Sequence, residues 1–196
     1  MHVARALKWW EKNTASNMME IKSTNQLVHE LLNAGDRLVI VEFFSPGCRG
    51  CRALHPKICQ QAELNPSAIF LEVNYDHHRT MCQSLHIKVL PFFQFYRGAQ
   101  GRVNSFSCTN TTIKKFKDAI AKHGIDRHSL GPAKGLEEPE LIRLASNPET
   151  HFSYPLQSLA ENFALSIFAD SLDEEVEIAD RAAAMAVRLT QGYTDT

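Results

Sequence analysis

Two cysteines with redox spacing are the residues of this chain best suited to chemistry. Cys48 and Cys51 are separated by two residues and follow the apolar run 38–44. Such a run predicts a buried strand, so the pair stands where a strand ends and a helix begins. This spacing puts both sulfurs within bonding reach while the helix stays intact, and it is typical of a thiol–disulfide site. We therefore expect a redox-active disulfide between Cys48 and Cys51 that exchanges with other proteins.

The two cysteines are expected to have different roles. The thiolate attacks a disulfide, and a free cysteine with a pKa of about 8.5 is mostly protonated at neutral pH. Cys48 lies at the predicted helix start, where unpaired backbone N–H groups and the helix dipole favour its anion. Arg49 adds a positive charge beside it, and Gly50 loosens the same turn. Cys48 is therefore the expected nucleophile, and the more buried Cys51 is the expected resolving cysteine.

Two further features are predicted to complete the site. At Leu90-Pro91, before another strand, we expect a cis peptide bond close against the cysteines that shapes a groove for a client's extended chain. Glu42 is a lone carboxylate in the apolar run, so we expect it to be buried with a raised pKa. Such a group could take the proton of Cys51 during resolution, directly or through water. The alternative is that Glu42 is a buried carboxylate without a role in the reaction.

The order of predicted elements indicates an α/β sheet with helices on both faces. The domain is expected over residues 19–123, with a polar arm at 1–18 and, at 124–196, a linker and an acidic, partly helical or disordered extension. Residues 1–123 carry 16 basic and 9 acidic groups, and the remainder carries 5 and 13. The tail at 156–190 has apolar residues at roughly helical spacing, and its acidic charge suggests a contact with the basic domain. The predicted strands are 19–22, 37–44, 68–74, 92–97 and 102–108, and the main predicted helices after the cysteines are 48–63, 77–85 and 110–123.

Several stretches together resemble the thioredoxin family, and within it the plant subgroup of atypical Cys/His-rich thioredoxins. The resemblance covers roughly the first 123 residues. It implies a thioredoxin fold, with a central mixed β-sheet flanked by helices, and the disulfide chemistry already expected of Cys48 and Cys51. The stretches that carry it are Lys8–Lys12, Phe43–Cys48, Ala53–Cys59, Val73–Tyr75, Leu90–Phe93, Phe95–Gly98 and Ser105–Asn110.

The resemblance also implies a cellular setting. It implies a chloroplast protein-disulfide oxidoreductase without a cofactor, with 2-Cys peroxiredoxin and chloroplast metabolic enzymes among its disulfide-bearing clients. No transit peptide is visible at the start of the sequence, so a cytoplasmic location is the alternative. We further expect a monomer. Because basic residues are scattered and no run approaches the roughly 20 apolar residues of a membrane helix, we expect neither nucleic-acid binding nor a membrane span.

The chain departs from ordinary thioredoxins at the site itself. Gly47 stands where they have Trp, Arg49-Gly50 where they have Gly-Pro, and Glu42 where Asp is usual. By stabilising the Cys48 thiolate, and with it the reduced form, Arg49 is expected to make the pair a weaker reductant.

Other interpretations of the cysteines remain. The spacing of Cys48, Cys51, His55 and Cys59 resembles that of a metal-binding site. The last three, however, recur every four residues along one predicted helix, so their side chains would not converge on one metal ion, and we expect no metal. His55 could instead tune the site. We interpret the free cysteines Cys59, Cys82 and Cys108 as core residues, with regulatory disulfides as the alternative. A non-catalytic thioredoxin-fold binding or scaffold module is the alternative for the whole chain.

Overall fold

Five strands form one mixed sheet in the computed structural model of the chain, which describes residues 7–124 and 131–152. The strands are β1 (Met18–Glu20), β2 (Leu38–Phe44), β3 (Ile69–Asn74), β4 (Phe92–Arg97) and β5 (Gly101–Ser107). Their order across the sheet is β1-β3-β2-β4-β5. β3 pairs parallel with β1 and β2, whereas β4 pairs antiparallel with β2 and β5. The predicted mixed sheet is confirmed.

The helices up to residue 123 follow the predicted order, with small shifts at their ends. Cys48 is the N-cap of the helix after β2, so this helix begins one residue later than predicted. The predicted helix 110–123 starts with a 3-10 turn, Asn110–Thr112, and becomes α-helical at Ile113. The helices are α1 (Thr24–Leu32), α2 (Arg49–Leu64), α3 (Arg79–Ser84), α4 (Ile113–His123) and α5 (Glu138–Ser146).

The core holds the central strands rigidly. β2 is buried along its whole length, as expected for a strand covered by helices on both faces. Beside it, the ring centroids of Phe93 and Phe116 lie 4.9 Å apart and those of Phe95 and Phe106 lie 5.4 Å apart. Each fully buried side chain of this kind contributes roughly 1.5–3 kcal/mol. This core fixes the end of β2 and the start of β4, which carry the predicted site residues.

The N-terminal arm, described here over residues 7–17, packs on the domain. It contains a 3-10 turn, Trp9–Glu11. At its end, the side-chain amide of Asn17 lies 2.9–3.0 Å from the carbonyl oxygens of Ala62, Asn65 and Ala68 and donates to them. These bonds join the arm to the end of α2 and the start of β3. The arm is thus fixed at the point where β1 begins.

A C-terminal segment, residues 131–152, also packs on the domain and contains α5. Leu136, Leu141 and Leu144 are buried. The Arg102 guanidinium of β5 donates to the carboxylates of Glu137 and Glu140, over 3.0 and 2.6 Å. All described residues belong to one compact unit, which spans residues 1–153.

Two further predictions concern the tail after residue 152 and the absence of a membrane-spanning helix. The helical pattern at 156–190, and the contact expected between this acidic tail and the domain, lie outside the described residues. Among the described helices, none is long and apolar enough to cross a membrane.

Candidate redox site

Cys48 and Cys51 are joined by a disulfide at the start of α2, with their Cα atoms 5.3 Å apart. Cys48 caps the helix: its Sγ accepts the backbone N–H of Cys51 over 3.1 Å. The Cys48 side chain is partly exposed, whereas Cys51 is fully buried. Cys48 is therefore the sulfur that a client can reach, and in the reduced state the same N–H and the helix N-terminus favour its thiolate.

Pro91 lies against the first turn of α2. The Leu90–Pro91 peptide bond is cis, as predicted. A methyl group added at Gly50 would lie 3.5 Å from Pro91 Cδ and 4.0 Å from Cys48 Sγ. Leu90 packs against the cluster that contains Cys51. The fold thus brings the proline loop and the cysteine turn together, as the sequence predicts.

Glu42 is buried in β2, with only 4% of its surface exposed. Its pKa is raised, first because burial removes water from the charged form and second because the Glu72 carboxylate lies nearby. The two glutamates are paired positions on the parallel strands β2 and β3. The expected burial and raised pKa of Glu42 are confirmed, and Glu42 Oε2 is buried without a hydrogen-bond partner.

Glu72 is a buried carboxylate that the sequence analysis missed. It is 4% exposed, and its pKa is raised to about 7, mainly by burial and then by the charge of Glu20. Its signal was present in the sequence, because it is a lone carboxylate in an apolar strand, just as Glu42 is. Glu72 Oε1 lies 3.7 Å from Nδ1 of His55.

His55 is a buried link between α2 and the N-terminal arm. Its Nε2 lies 3.0 Å from the carbonyl oxygen of Lys12, which only accepts, so Nε2 carries the proton. Burial lowers the pKa of His55 and raises that of Glu72. The 3.7 Å separation would suit an ion pair, but both shifts favour the uncharged forms, a protonated Glu72 beside a neutral His55.

The other cysteines are buried thiols. Burial raises the pKa of Cys59 and of Cys82 to about 12, and that of Cys108 to about 11. Thiols of this kind react slowly because the thiolate is the nucleophile. Cys59 Sγ lies 3.4 Å from His55 Nε2. Within the ranges that the structure describes, no group of three or more His, Cys, Asp or Glu side chains is placed to hold a metal ion.

Arg49 and Gly50 are exposed in the first turn of α2. Arg49 is next to Cys48 in the chain, as its proposed electrostatic role requires. Because water screens an exposed charge, its effect on the Cys48 thiolate is limited.

Trp9 and Trp10 also belong to the site, although the sequence analysis placed them in a polar arm. Trp10 packs in one cluster with Phe44 and Cys51, and Trp9, Cys48 and Leu90 pack at its edge. Two adjacent tryptophans in an otherwise polar stretch were the available signal. Their packing depends on contacts with residues more than 30 positions away in the chain.

The fold and the site together define a class of protein. They combine a disulfide at a helix N-terminus, a neighbouring cis-proline and a mixed five-stranded sheet. The family model described as "Thioredoxin" matches residues 19–122, which is more than half of the chain. The chain therefore belongs to the thioredoxin family, and the predicted family and fold are confirmed.

Known relatives extend the likeness beyond that domain. The chain is 66% identical over 158 residues to "Thioredoxin-like 1-1, chloroplastic" of Oryza sativa subsp. japonica, covering 80% of this chain and 57% of that protein. It is 65% identical over 154 residues to the protein of the same name from Arabidopsis thaliana, covering 79% and 56%. An alignment of 158 residues must reach past residue 123, further than the predicted resemblance. The chain spans little more than half the length of these relatives.

A solved structure supports the fold alone. Thioredoxin f2 of Chlamydomonas reinhardtii is 22% identical and superimposes with a TM-score of 0.50, covering 56% of this chain and 99% of that chain.

Proposed function

We propose that the chain catalyses thiol–disulfide exchange with client proteins through Cys48 and Cys51. The observation that carries the proposal is the disulfide at the start of α2, with Cys48 accessible and Cys51 buried behind it. Membership of the thioredoxin family supports it. Because the relatives are much longer than this chain, the activity is argued from the site.

The reaction proceeds in two exchanges. The Cys48 thiolate attacks one sulfur of a client disulfide, forms a mixed disulfide and releases the other client sulfur as a thiolate. Cys51 then loses its proton and attacks Cys48 Sγ, which releases the second client sulfur. The client gains two electrons and takes up two protons, while Cys48 and Cys51 become the disulfide seen in the structure. The N–H of Cys51, 3.1 Å from Cys48 Sγ, stabilises the attacking thiolate.

Glu42 is the proposed acceptor of the Cys51 proton. Burial raises the pKa of the Glu42 carboxyl, so it binds a proton more tightly than an exposed carboxyl and is suited to accept one from a thiol. The free Oε2 of Glu42 leaves a lone pair for a proton or a bridging water.

Leu90 and Pro91 are proposed to form one side of the client groove. Pro91 Cδ lies near the turn that carries Cys48, and Val89 just before the loop is 52% exposed. An extended client segment would pair with backbone groups here.

The proposed clients are disulfide-bearing proteins, with 2-Cys peroxiredoxin and chloroplast metabolic enzymes as the first to test. The chloroplast location is proposed because the most similar relatives reported above are named chloroplastic. The proposed oligomeric state is a monomer.

An insulin-reduction assay with dithiothreitol as electron source tests the activity. We expect turnover by the native chain, none by Cys48→Ser, and trapped mixed disulfides with Cys51→Ser. Absence of turnover by the folded native chain would favour the alternative, a thioredoxin-fold binding module.

A further inference from the structure

The N-terminal arm places the two tryptophans of the chain, Trp9 and Trp10, beside the cysteine pair. Trp9 is held by a direct bond to the cysteine loop: its Nε1 donates to the carbonyl oxygen of Pro46 over 3.0 Å. Its ring also meets the ring of Phe44 edge-on, with centroids 5.6 Å apart. Trp9 is therefore fixed next to the residues that lead into Cys48.

A second set of contacts, with Trp10 and His55, holds the Trp9 ring against the domain. That ring lies edge-on to Trp10 and to His55, with centroids 5.4 Å apart in both pairs. His55 Nε2 in turn donates to the carbonyl oxygen of Lys12 in the arm. Trp10 is buried, and Lys8 Nζ lies 5.0 Å over its ring. The arm is thus held on α2 and β2 by polar and aromatic contacts together.

The surface beside Cys48 is open at Gly47. Gly47, between Pro46 and Cys48, is exposed, and a methyl group added there would meet nothing within 4 Å. Because Gly47 has no side chain, it provides no wall at this position. Trp9 is only partly buried, and its indole is bonded to the residue just before Gly47.

We propose that Trp9 is a client-binding residue that forms a wall beside Cys48, and that Trp10 positions it. The inference rests on the proposed exchange reaction at Cys48. A client segment bonded to Cys48 would contact Trp9 together with the apolar side chain of Leu90, which packs against the same cluster. Rigid, amphipathic aromatic side chains are the strongest contributors at such contacts. The preferred client therefore carries an apolar side chain next to its reactive cysteine.

Turnover of two disulfides of different size tests this role. For Trp9→Ala, kcat/KM with insulin is expected to fall roughly tenfold, which corresponds to about 1.4 kcal/mol, a usual loss for one aromatic contact. The reduction of the small disulfide 5,5′-dithiobis(2-nitrobenzoate) is expected to fall far less, because it is too small to use the wall. The loss should lie in KM. Equal losses with both disulfides, or a loss in kcat alone, would overturn the proposal.

A second measurement keeps the test valid if Trp9→Ala folds poorly. Trp9→Phe keeps the apolar ring and loses the bond to Pro46, so its loss with insulin should be smaller than that of Trp9→Ala at equal melting temperature. If kcat/KM with insulin falls as much for Trp9→Phe as for Trp9→Ala, the client does not bind through the aromatic ring.

Fluorescence separates this inference from the exchange activity. In Trp10→Phe/Cys51→Ser, emission comes from Trp9 alone, and a cysteine peptide can be coupled chemically to Cys48. A peptide with Leu beside its cysteine is expected to shift Trp9 emission to the blue, and the same peptide with Asp is expected to shift it less. Equal spectra would refute the contact even if insulin is reduced. Failure of the native chain to reduce insulin would refute the activity without bearing on the spectra.

Discussion

The N-terminal arm and the C-terminal segment are both additions to the same domain, yet they contact different parts of it. The arm packs on Phe44 and Cys51, where β2 ends. The C-terminal segment bonds to the turn between β4 and β5, where Lys134 N–H donates to Gly98 O over 3.1 Å. Because β4 is antiparallel to β2, that turn lies at the end of the sheet away from the cysteines. From there the segment reaches α3, where the side chain of Arg143 donates to a backbone carbonyl oxygen. One addition builds the site, and the other is expected to stabilise the fold.

Buried carboxyls show the same contrast. Glu140 in the C-terminal segment is 3% exposed and is paired with Arg102 over 2.6 Å. Glu42 and Glu72 near the site face each other, and the pKa of each is raised. A paired carboxylate serves structure, whereas buried carboxyls with raised pKa values are suited to proton transfer. The difference predicts which substitutions change stability and which change chemistry.

The largest expected effect is on stability, from Leu144→Ala in α5. Leu144 is fully buried, so the loss of packing and the cavity should cost about 2–5 kcal/mol of unfolding free energy. Urea denaturation measures it, and Ile142→Ala on the exposed side of the same helix is the control. Insulin turnover should stay at the native rate while the protein is folded. If insulin turnover by the folded variant falls at low urea, the C-terminal segment contributes to the site as well as to stability.

The next effect concerns pH and comes from Glu72. The pKa of Glu72 is about 7 in the folded chain, above its ordinary value of 4.5. Between these two pH values the folded chain therefore holds a proton that the unfolded chain has released. Stability therefore falls as pH rises through the range, by about 1.4 kcal/mol per pH unit and about 3 kcal/mol in all.

Glu72→Gln removes this loss. In the oxidised protein, the difference in unfolding free energy between pH 5 and pH 8 should shrink by about 3 kcal/mol, with Glu63→Gln on the exposed face of α2 as the control. An unchanged difference would show that Glu72 is charged throughout, as a structural ion pair would be.

The local part of this architecture was predictable and the tertiary part was not. Three features are patterns confined to a few neighbouring residues: the run 38–44, the Cys48/Cys51 spacing and the lone Glu42. The strand, the cysteine turn and the buried acid could therefore be predicted from the sequence. The packing of Trp9 on Pro46, and the pairing of Glu140 with Arg102, join residues more than 30 positions apart. No local pattern specifies such partners, and the facing of Glu42 and Glu72 needed the register of β2 and β3.

A smaller stability effect should come from Arg102. Arg102→Met leaves the buried Glu140 without its cation, and because Arg102 is partly exposed we expect a cost of about 1–3 kcal/mol. Adding Glu140→Gln should recover part of that loss, because the uncompensated charge is removed. Lys114→Ala, which breaks the exposed pair with Asp118, is the control and should cost about 0.5 kcal/mol or less. If the double variant is as unstable as Arg102→Met, the charge of Glu140 is not the cause.

The smallest expected effect is the most direct test of the site, and it concerns Arg49. An exposed cation beside Cys48 stabilises the thiolate, and with it the reduced form, by a screened interaction of about 0.5 kcal/mol. For a two-electron couple this is about 10 mV, so Arg49→Gln should make the midpoint potential more negative by that amount. Arg52→Gln removes the same charge one turn into α2 and should shift the potential less, because it lies past the helix N-terminus. A less negative potential for Arg49→Gln would reverse the sign of the charge argument. The hydrogen bond from the Cys51 N–H to Cys48 Sγ at the helix N-terminus would then be the main interaction that stabilises the thiolate.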